Sequence, residues 1–210
     1  MTTIRAIVFD FGGVLINWDP RNLYRRYFSD PQEMERFLSE IDFYAWNAEQ
    51  DKGRPFAQGV AILSAQFPQY AHLIHAYHEH WETSLNGAIP GTIEILKTLK
   101  RQGYALFGLS NWSAETYPQV RKKYTFFDLF DHIIISGRVD MVKPHPAIFN
   151  LLLNQTGYDA PECVFIDDSP ANVHAASKLG FRALHFTSPE KLRSQLEQLG
   201  LLSHAPQEDK

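Results

Sequence analysis

The chain has 210 residues, of which 44% are hydrophobic and 21% are charged, and its formal net charge is −4. This length is enough for one sizeable core with a small accessory domain. The acidic balance argues against a nucleic-acid-binding surface, and no apolar run approaches the length of a membrane span.

The only cysteine, Cys163, lies in a predicted strand and is expected to be a small core residue. A single cysteine excludes an internal disulfide, which fits a reducing compartment. The N-terminus runs into the first predicted strand without a signal-peptide pattern. We therefore expect a cytoplasmic monomer or homodimer with no nucleic-acid or membrane partner.

The first predicted strand is the apolar run Ala6–Phe9, which ends at Asp10 and is followed by Gly12 and Gly13. A strand that is buried on both faces requires such a run, and its carboxyl end is where open α/β sheets bind ligands. Glycines let the backbone turn tightly against a ligand. Asp10 is therefore a candidate nucleophile, although this stretch alone is equally compatible with an aspartate that closes a turn.

Residues 15–86 have a different character, with aromatic and charged residues at helical spacing and no convincing strand. Proline after a capping residue marks several helix starts in this segment. The pattern predicts an inserted, all-helical cap domain over 15–86. Its helices are expected at Asp19-Pro20, at Asp30-Pro31, over Trp46–Lys52, at Arg54-Pro55 and over Tyr70–Leu85.

From residue 87 onward, predicted helices and strands alternate, and glycines end most of the helices. This alternation predicts right-handed crossovers and a parallel sheet, so residues 1–14 and 87–202 are expected to form an α/β core. The last residues, 203–210, are polar and without periodicity, and a flexible tail is expected there. The later strands are predicted at 104–109, 132–135, 163–166 and 182–186.

Polar residues follow the predicted strands: Ser110-Asn111 after the second core strand, Lys143 in the loop after the third, and Asp167-Asp168 after the fourth. Each alone is better explained as a turn or helix cap, but together they suit one chemistry. Asp10 can attack an electrophile, and the carboxylates suit Mg²⁺. Ser110 and Lys143 can hold phosphoryl oxygens, and Asn111 can orient Asp10 or the group that it attacks.

These residues fall in four motifs: Asp10-Phe11-Gly12-Gly13-Val14, Leu109-Ser110-Asn111, Lys143-Pro144 and Ile166-Asp167-Asp168-Ser169. Through them, nearly the whole chain resembles the haloacid dehalogenase superfamily. The resemblance implies a Rossmann-like α/β/α core with strand order 5-4-1-2-3 and a nucleophilic Asp10. It also implies phosphate contacts from Ser110 and Lys143, with Asn111, Gly12 and Gly13 beside the phosphate, and Mg²⁺ held by Asp10, the carbonyl oxygen of Gly12 and Asp168, with Asp167 nearby.

One position departs from the usual pattern of similar phosphatases, which carry a second, proton-transferring aspartate where this chain has Gly12. A minority branch, similar to small sugar-phosphate phosphatases, also has glycine there. The cap carboxylates Glu49 and Asp51 are alternative proton carriers, but a solvated helix face is the favoured interpretation of both. A Gly12→Asp replacement is a weaker test, because room for a side chain is not assured.

The resulting hypothesis is a Mg²⁺-dependent phosphatase that acts on a small phosphorylated metabolite, with sugar phosphates among the candidates, through an aspartyl-phosphate on Asp10. A metal-independent 2-haloacid dehalogenase is the rival, but the Asp167-Asp168 pair would oppose an anionic substrate. A catalytically inactive binding protein with the same fold is the third possibility.

One predicted cap helix carries four histidines, namely His72, His75, His78 and His80. A solvated helix face is a better interpretation of this cluster than a zinc site.

Overall fold

A five-stranded parallel sheet forms the centre of the computed structural model, which describes residues 2–203. Seven of the eight residues of the predicted tail, 204–210, thus lie outside the described residues, and only Ser203 falls within them. The strands are β1 (Ala6–Phe9), β2 (Ile16–Trp18), β3 (Leu85–Ala88), β4 (Ala105–Ser110), β5 (His132–Ile135), β6 (Cys163–Asp167) and β7 (Arg182–His185).

The helices separate into those that follow β2 and those that alternate with the later strands. The first group is α1 (Arg21–Tyr24), α2 (Pro31–Glu40), α3 (Phe43–Asp51), α4 (Phe56–Gln66) and α5 (Ala71–Glu79). The second group is α6 (Pro90–Arg101), α7 (Tyr117–Lys123), α8 (Pro146–Thr156), α9 (Pro170–Lys178) and α10 (Pro189–Gln198). Proline occupies the first turn of six of these ten helices, α2 and α6–α10, where its missing N–H costs nothing.

The strand order is β5-β4-β1-β6-β7, and each neighbouring pair is parallel. Numbered within the core, this is the predicted order 5-4-1-2-3 read from the other edge. Alternate residues of β1 face opposite layers: Ala6 and Val8 pack in the cluster of α8 and α9, and Ile7 and Phe9 in that of α6 and α10. The three-layer α/β/α prediction is therefore confirmed.

The expectation that residues 15–86 contain no strand is wrong. β2 and β3 pair antiparallel, with Ile16 opposite Ala88 and Trp18 opposite Leu85. The predicted helix over Tyr70–Leu85 consequently ends at Glu79 and is followed by a 3₁₀ turn before β3. A strand of three residues carries almost no periodic signal, and its partner lies far away in the sequence. Within residues 2–203, no helix has the length and apolar character needed to cross a membrane.

Candidate active site

The carboxyl ends of β1, β4 and β6 bring the predicted site residues to one edge of the sheet. Asp10 directly follows β1, Ser110 ends β4 and Asp167 ends β6, while Lys143 reaches in from the loop between β5 and α8. All four of these side chains are buried. Polar side chains that gather in a buried position need partners, and here they supply them to one another.

Lys143 is the cation of this group. Its Nζ lies 2.6 Å from Asp167 Oδ2 and 3.0 Å from Asp10 Oδ1. Burial alone would lower the pKa of Lys143, but the charges of Asp10 and Asp167 outweigh burial and raise it. Lys143 is therefore a permanent positive charge next to Asp10.

Asp167 is held by several donors besides Lys143. The side-chain amide of Asn172 lies 3.0 and 3.1 Å from its two oxygens, and the backbone N–H of Ser169 donates to Oδ1 over 2.8 Å. The side chain is fully buried. These contacts fix Asp167, and through it they fix the ammonium group of Lys143.

Asp10 has an environment that opposes its ionisation. Burial raises the pKa of Asp10 to about 7, Lys143 acts against this rise, and the charges of Asp167 and Asp168 add to it. A hydrogen bond from the Ser110 hydroxyl also favours the charged form, and the backbone N–H of Phe11 donates to Oδ1 over 2.7 Å. Such a carboxylate is ready to bind a further positive charge.

Three carboxylates could share a metal ion. Asp10, Asp167 and Asp168 each offer an oxygen within 4.8 Å of the others, and they are the only such group of histidine, cysteine or acidic residues within residues 2–203. Burial, followed by the charge of Asp167, raises the pKa of Asp168. Carboxylates this close repel one another, and a hard cation such as Mg²⁺, which prefers oxygen ligands, offsets the repulsion. The three residues therefore fit this ion.

The two glycines after Asp10 have different surroundings. Gly13 has a φ of +72°, and a Cβ built there would lie 2.2 Å from Asp168 Oδ2. At Gly12, a Cβ would meet no heavy atom within 4 Å. From the sequence there was no assurance that a side chain would fit at Gly12. The structure corrects this, because the position has space for a Cβ atom.

Asn111 is tied to the backbone of Lys143. Its side-chain amide donates to the Lys143 carbonyl oxygen over 2.9 Å, and its own oxygen accepts from the Lys143 N–H at 2.9 Å. These two bonds join the end of β4 to the loop that carries the buried lysine. A phosphate contact by Asn111, Gly12 or Gly13 stays a prediction.

A cavity of about 80 Å³ adjoins this cluster. A water molecule needs about 10–15 Å³ of such space, so several waters or part of a small ester would fit. Both the sheet edge and the cap segment, which we define as residues 15–86, contribute to its walls. The lining residues are Gly12, Trp18, Asn47, Asp51, Trp81, Asn111 and Trp112.

Three indoles give the cavity a largely apolar wall. Trp81 and Trp112 meet edge to face with their ring centroids 5.7 Å apart. The Trp112 indole N–H donates to Thr116 over 3.0 Å, and those of Trp18 and Trp81 bond to the Tyr77 hydroxyl. Because the N–H groups are engaged with protein partners, the rings present carbon surface to a ligand.

The two cap carboxylates lie in opposite surroundings. Glu49 is exposed, as a solvated helix face requires, whereas Asp51 lines the cavity. Asp51 accepts a hydrogen bond from the side-chain amide of Asn47 over 2.9 Å. The expectation of solvation is therefore wrong for Asp51. Helical spacing left its direction open, because that direction depends on how α3 packs against the sheet edge.

Several other polar residues noted in the sequence lie away from the cluster. His72, His75, His78 and His80 are all exposed, which agrees with a wet helix face. His145 is exposed and caps α8, where its Nδ1 accepts from the Ala147 N–H over 3.2 Å. Sequence reasoning did not single out Asn47 and Asn172, whose amides donate to Asp51 and Asp167, or Tyr77, whose hydroxyl donates to Asn47. Only the i, i+4 spacing of Asn47 and Asp51 could have suggested one of these contacts.

The fold and the clustered motifs define a hydrolase of one known family. Residues 4–180 match the haloacid dehalogenase-like hydrolases, and the chain belongs to that family. It is 30% identical over 207 residues to the sesquiterpene phosphatase astK of Aspergillus oryzae, covering 94% of this chain and 97% of that protein.

Solved structures show the same fold. A haloacid dehalogenase family enzyme from Bacteroides thetaiotaomicron, bt-2542, in complex with magnesium and inorganic phosphate, superimposes with a TM-score of 0.66. It is 27% identical, and the match covers 88% of this chain and 95% of that one. A dehalogenase structure has a TM-score of 0.69 at 18% identity, covers 93% of this chain and 98% of that one, and shows the shared fold alone.

Proposed function

We propose that the protein is a Mg²⁺-dependent phosphatase that hydrolyses a small phosphate monoester through an aspartyl-phosphate on Asp10. The observation that carries this proposal is the buried contact of Lys143 with Asp10 beside the three clustered carboxylates. The likeness to a protein named a phosphatase and to an enzyme solved with magnesium and phosphate supports it.

The residues divide the reaction among them. Asp10 attacks phosphorus, and the bond from phosphorus to the ester oxygen breaks. Lys143 and Ser110 hold the phosphoryl oxygens, where charge stabilisation matters most. Asp10, Asp168 and the carbonyl oxygen of Gly12 would hold Mg²⁺. When bound, this ion neutralises charge between the carboxylates and the phosphoryl group.

Asp167 and Asn111 act as positioning residues. Asp167 aims the ammonium group of Lys143, and Asn111 fixes the backbone of the same residue. Residues 1–14 and 87–202 form the core that carries the reacting groups. Residues 15–86 form the cap, which covers them and excludes water during the reaction.

The organic part of the substrate is expected to be apolar rather than rich in hydroxyl groups. Three indole rings line the cavity with their N–H groups already bonded. The amides of Asn47 and Asn111 are engaged as well, so sugar hydroxyls would find few partners. The relative named a sesquiterpene phosphatase supports this class over the sugar phosphates.

A 2-haloacid dehalogenase is the second candidate, because such an enzyme would also use an aspartate nucleophile beside a lysine. Halide leaves without a proton, so Gly12 would be no handicap. The cluster of Asp10, Asp167 and Asp168 argues against it, since two further carboxylates repel an anionic acid. An inactive binding protein is less compatible with a buried lysine in contact with the nucleophile.

The experiment measures turnover of 4-nitrophenyl phosphate, a prenyl monophosphate and a hexose phosphate, with Mg²⁺ and with a chelator. We expect Mg²⁺-dependent release of phosphate, with the prenyl ester preferred over the hexose ester. Asp10→Asn should lower the rate by about 10³-fold or more, as removal of a nucleophile does. Chelator-resistant halide release from 2-chloropropionate, without phosphatase activity, would establish the dehalogenase instead.

A further inference from the structure

The last residue of α3, Asp51, shares the cavity wall with Gly12. We propose that Asp51 is the catalytic acid and base of this enzyme, and that it brings from the cap the proton carrier that the turn after β1 lacks. This inference rests on the proposed phosphatase function. It assigns the one role that Gly12, having no side chain, leaves open.

The space beside Gly12 supports this assignment. A Cβ at Gly12 would meet no heavy atom within 4 Å, and Gly12 and Asp51 line the same cavity. An ester oxygen that leaves from a phosphoryl group on Asp10 would enter this cavity. Asp51 thus approaches from the cap side the region that a side chain at Gly12 would reach from the core side.

A chain of hydrogen bonds directs the Asp51 carboxyl group. Asn47 Nδ2 donates to its Oδ2 over 2.9 Å, and the backbone N–H of Ser113 donates to the same carboxyl group. Asn47 Oδ1 accepts from the Tyr77 hydroxyl at 3.2 Å, and that hydroxyl bonds to the indoles of Trp18 and Trp81. A side chain held from both the cap and the core has little freedom to turn away.

The backbone of Asp51 is anchored as well. Its carbonyl oxygen accepts a hydrogen bond from the hydroxyl of Ser136, which lies just after β5. The neighbouring cap residue Phe56 donates its N–H to Glu115 of the core over 3.0 Å. These contacts hold the end of α3 and the start of α4 against the core. They place Asp51 over the cavity when the cap is docked.

The groups around Asp51 favour its protonated form. Asp10 approaches from β1 and Tyr77 from α5, while Asn47 and the Ser113 N–H are neutral. Burial raises the pKa of Asp51 to about 8, the Ser113 N–H acts against the rise, and Asp10 adds to it. A carboxyl group in this state holds a proton near neutral pH and can donate it.

The two half-reactions then balance. As Asp10 attacks phosphorus, the bond to the ester oxygen breaks, and that oxygen takes both bonding electrons and the proton of Asp51. The alcohol departs and Asp51 is left as a carboxylate. In the second half, Asp51 removes a proton from water while the water oxygen attacks phosphorus. The bond from phosphorus to Asp10 breaks, which releases phosphate and leaves Asp51 protonated again.

The test compares leaving groups in Asp51→Asn, with Glu49→Gln as the matched control on the exposed face of the same helix. A simple alkyl phosphate needs a proton on its leaving oxygen, whereas 4-nitrophenyl phosphate hardly does. In Asp51→Asn, kcat/KM for the alkyl ester should fall by about 10²–10⁴-fold, the usual range for general acid–base catalysis. The first step on the aryl ester should change little, so that a burst of nitrophenol precedes slow turnover. Glu49→Gln should match the unmodified protein.

The comparison does not depend on the stability of the variant. Partial unfolding lowers kcat/KM for both esters by the same factor, whereas loss of the acid lowers the ratio of the alkyl value to the aryl value.

The unmodified enzyme should itself show a weak dependence of kcat/KM on the leaving-group pKa. Adding Gly12→Asp to Asp51→Asn should restore turnover of the alkyl ester. Equal losses of kcat/KM on both esters in a folded Asp51→Asn variant, or no loss of kcat/KM on either, would overturn the assignment. Full activity of Asp10→Asn would instead overturn the phosphatase proposal.

Discussion

Gly12 and Gly13 follow the nucleophile candidate directly, but they meet different constraints. Gly13 combines a φ of +72° with the carboxylate of Asp168, which lies where a Cβ would be. Gly12 has neither constraint. A left-handed backbone and a close contact together require glycine, so the turn tolerates a side chain at position 12 and not at position 13.

This difference predicts opposite outcomes for two alanine replacements. Gly13→Ala should push Asp168 out of the carboxylate cluster and weaken Mg²⁺ binding by at least about tenfold, the scale of outer-shell effects at metal sites. Gly12→Ala, the matched control, should bind Mg²⁺ as the unmodified protein does. Calorimetric titration with Mg²⁺ measures both affinities. Equal affinities in the two variants would mean that Asp168 does not take part in the metal site.

Sequence alone located Asp10, Ser110, Lys143 and the Asp167-Asp168 pair, and the structure brings them together. Each follows a predictable strand, and the carboxyl ends of parallel strands meet at one edge. The sequence offered Asp51 only as an alternative proton carrier, with a solvated helix face favoured, because no strand delivers it to the site. Its position depends on the rotation of α3 about its axis and on the docking of the cap segment, and neither is encoded in local spacing.

The elements themselves follow local signals to differing degrees. The central strands were predictable because four or more consecutive apolar residues mark a strand buried on both faces. Proline and capping residues marked the helix starts, as at Asp30, whose side chain accepts from the N–H of Gln32. β2 and β3 were missed because a two-stranded ribbon of short strands is specified by pairing between distant residues.

Cys163 lies in the buried strand β6, which confirms it as a core residue. From this position we predict that its thiol reacts slowly in the folded protein. Burial raises the pKa of the Cys163 thiol to about 12, with Glu162 and Asp159 adding to the rise. Only about one thiol in 10⁴ would then be ionised at pH 8 in the folded state, against about a quarter for an ordinary thiol. Labelling by a disulfide reagent should be slow in buffer and fast in urea.

The raised pKa of the Cys163 thiol also makes the free energy of unfolding depend on pH. The unfolded thiol loses its proton near pH 8.5, and the folded one keeps it to about pH 12. Between these values the folded state binds more protons, so the free energy of unfolding should decrease as the pH rises. Cys163→Ala is the control and should remove this contribution. Rapid labelling of the native protein would contradict the buried thiol.

One apolar cluster extends from the sheet into the cap segment. It includes Ile7 and Phe9 of β1 together with Tyr24, Phe37 and Tyr77 of the cap segment. The polar contacts between the cap segment and the core include the hydrogen bond from the Phe56 N–H to Glu115. We expect the cap to open and close about the β2–β3 ribbon, since the cavity must admit a substrate and then exclude water.

The most direct test of the account is to find the phosphoryl group on the protein. The enzyme is mixed with substrate and Mg²⁺, quenched in acid within one turnover and digested at acidic pH, where an acyl phosphate survives, and the peptide that contains Asp10 is isolated. Mass spectrometry is expected to place a phosphoryl group on Asp10 in this peptide, and to find none in Asp10→Asn. Steady turnover of substrate with no phosphoryl group on Asp10 would contradict the account.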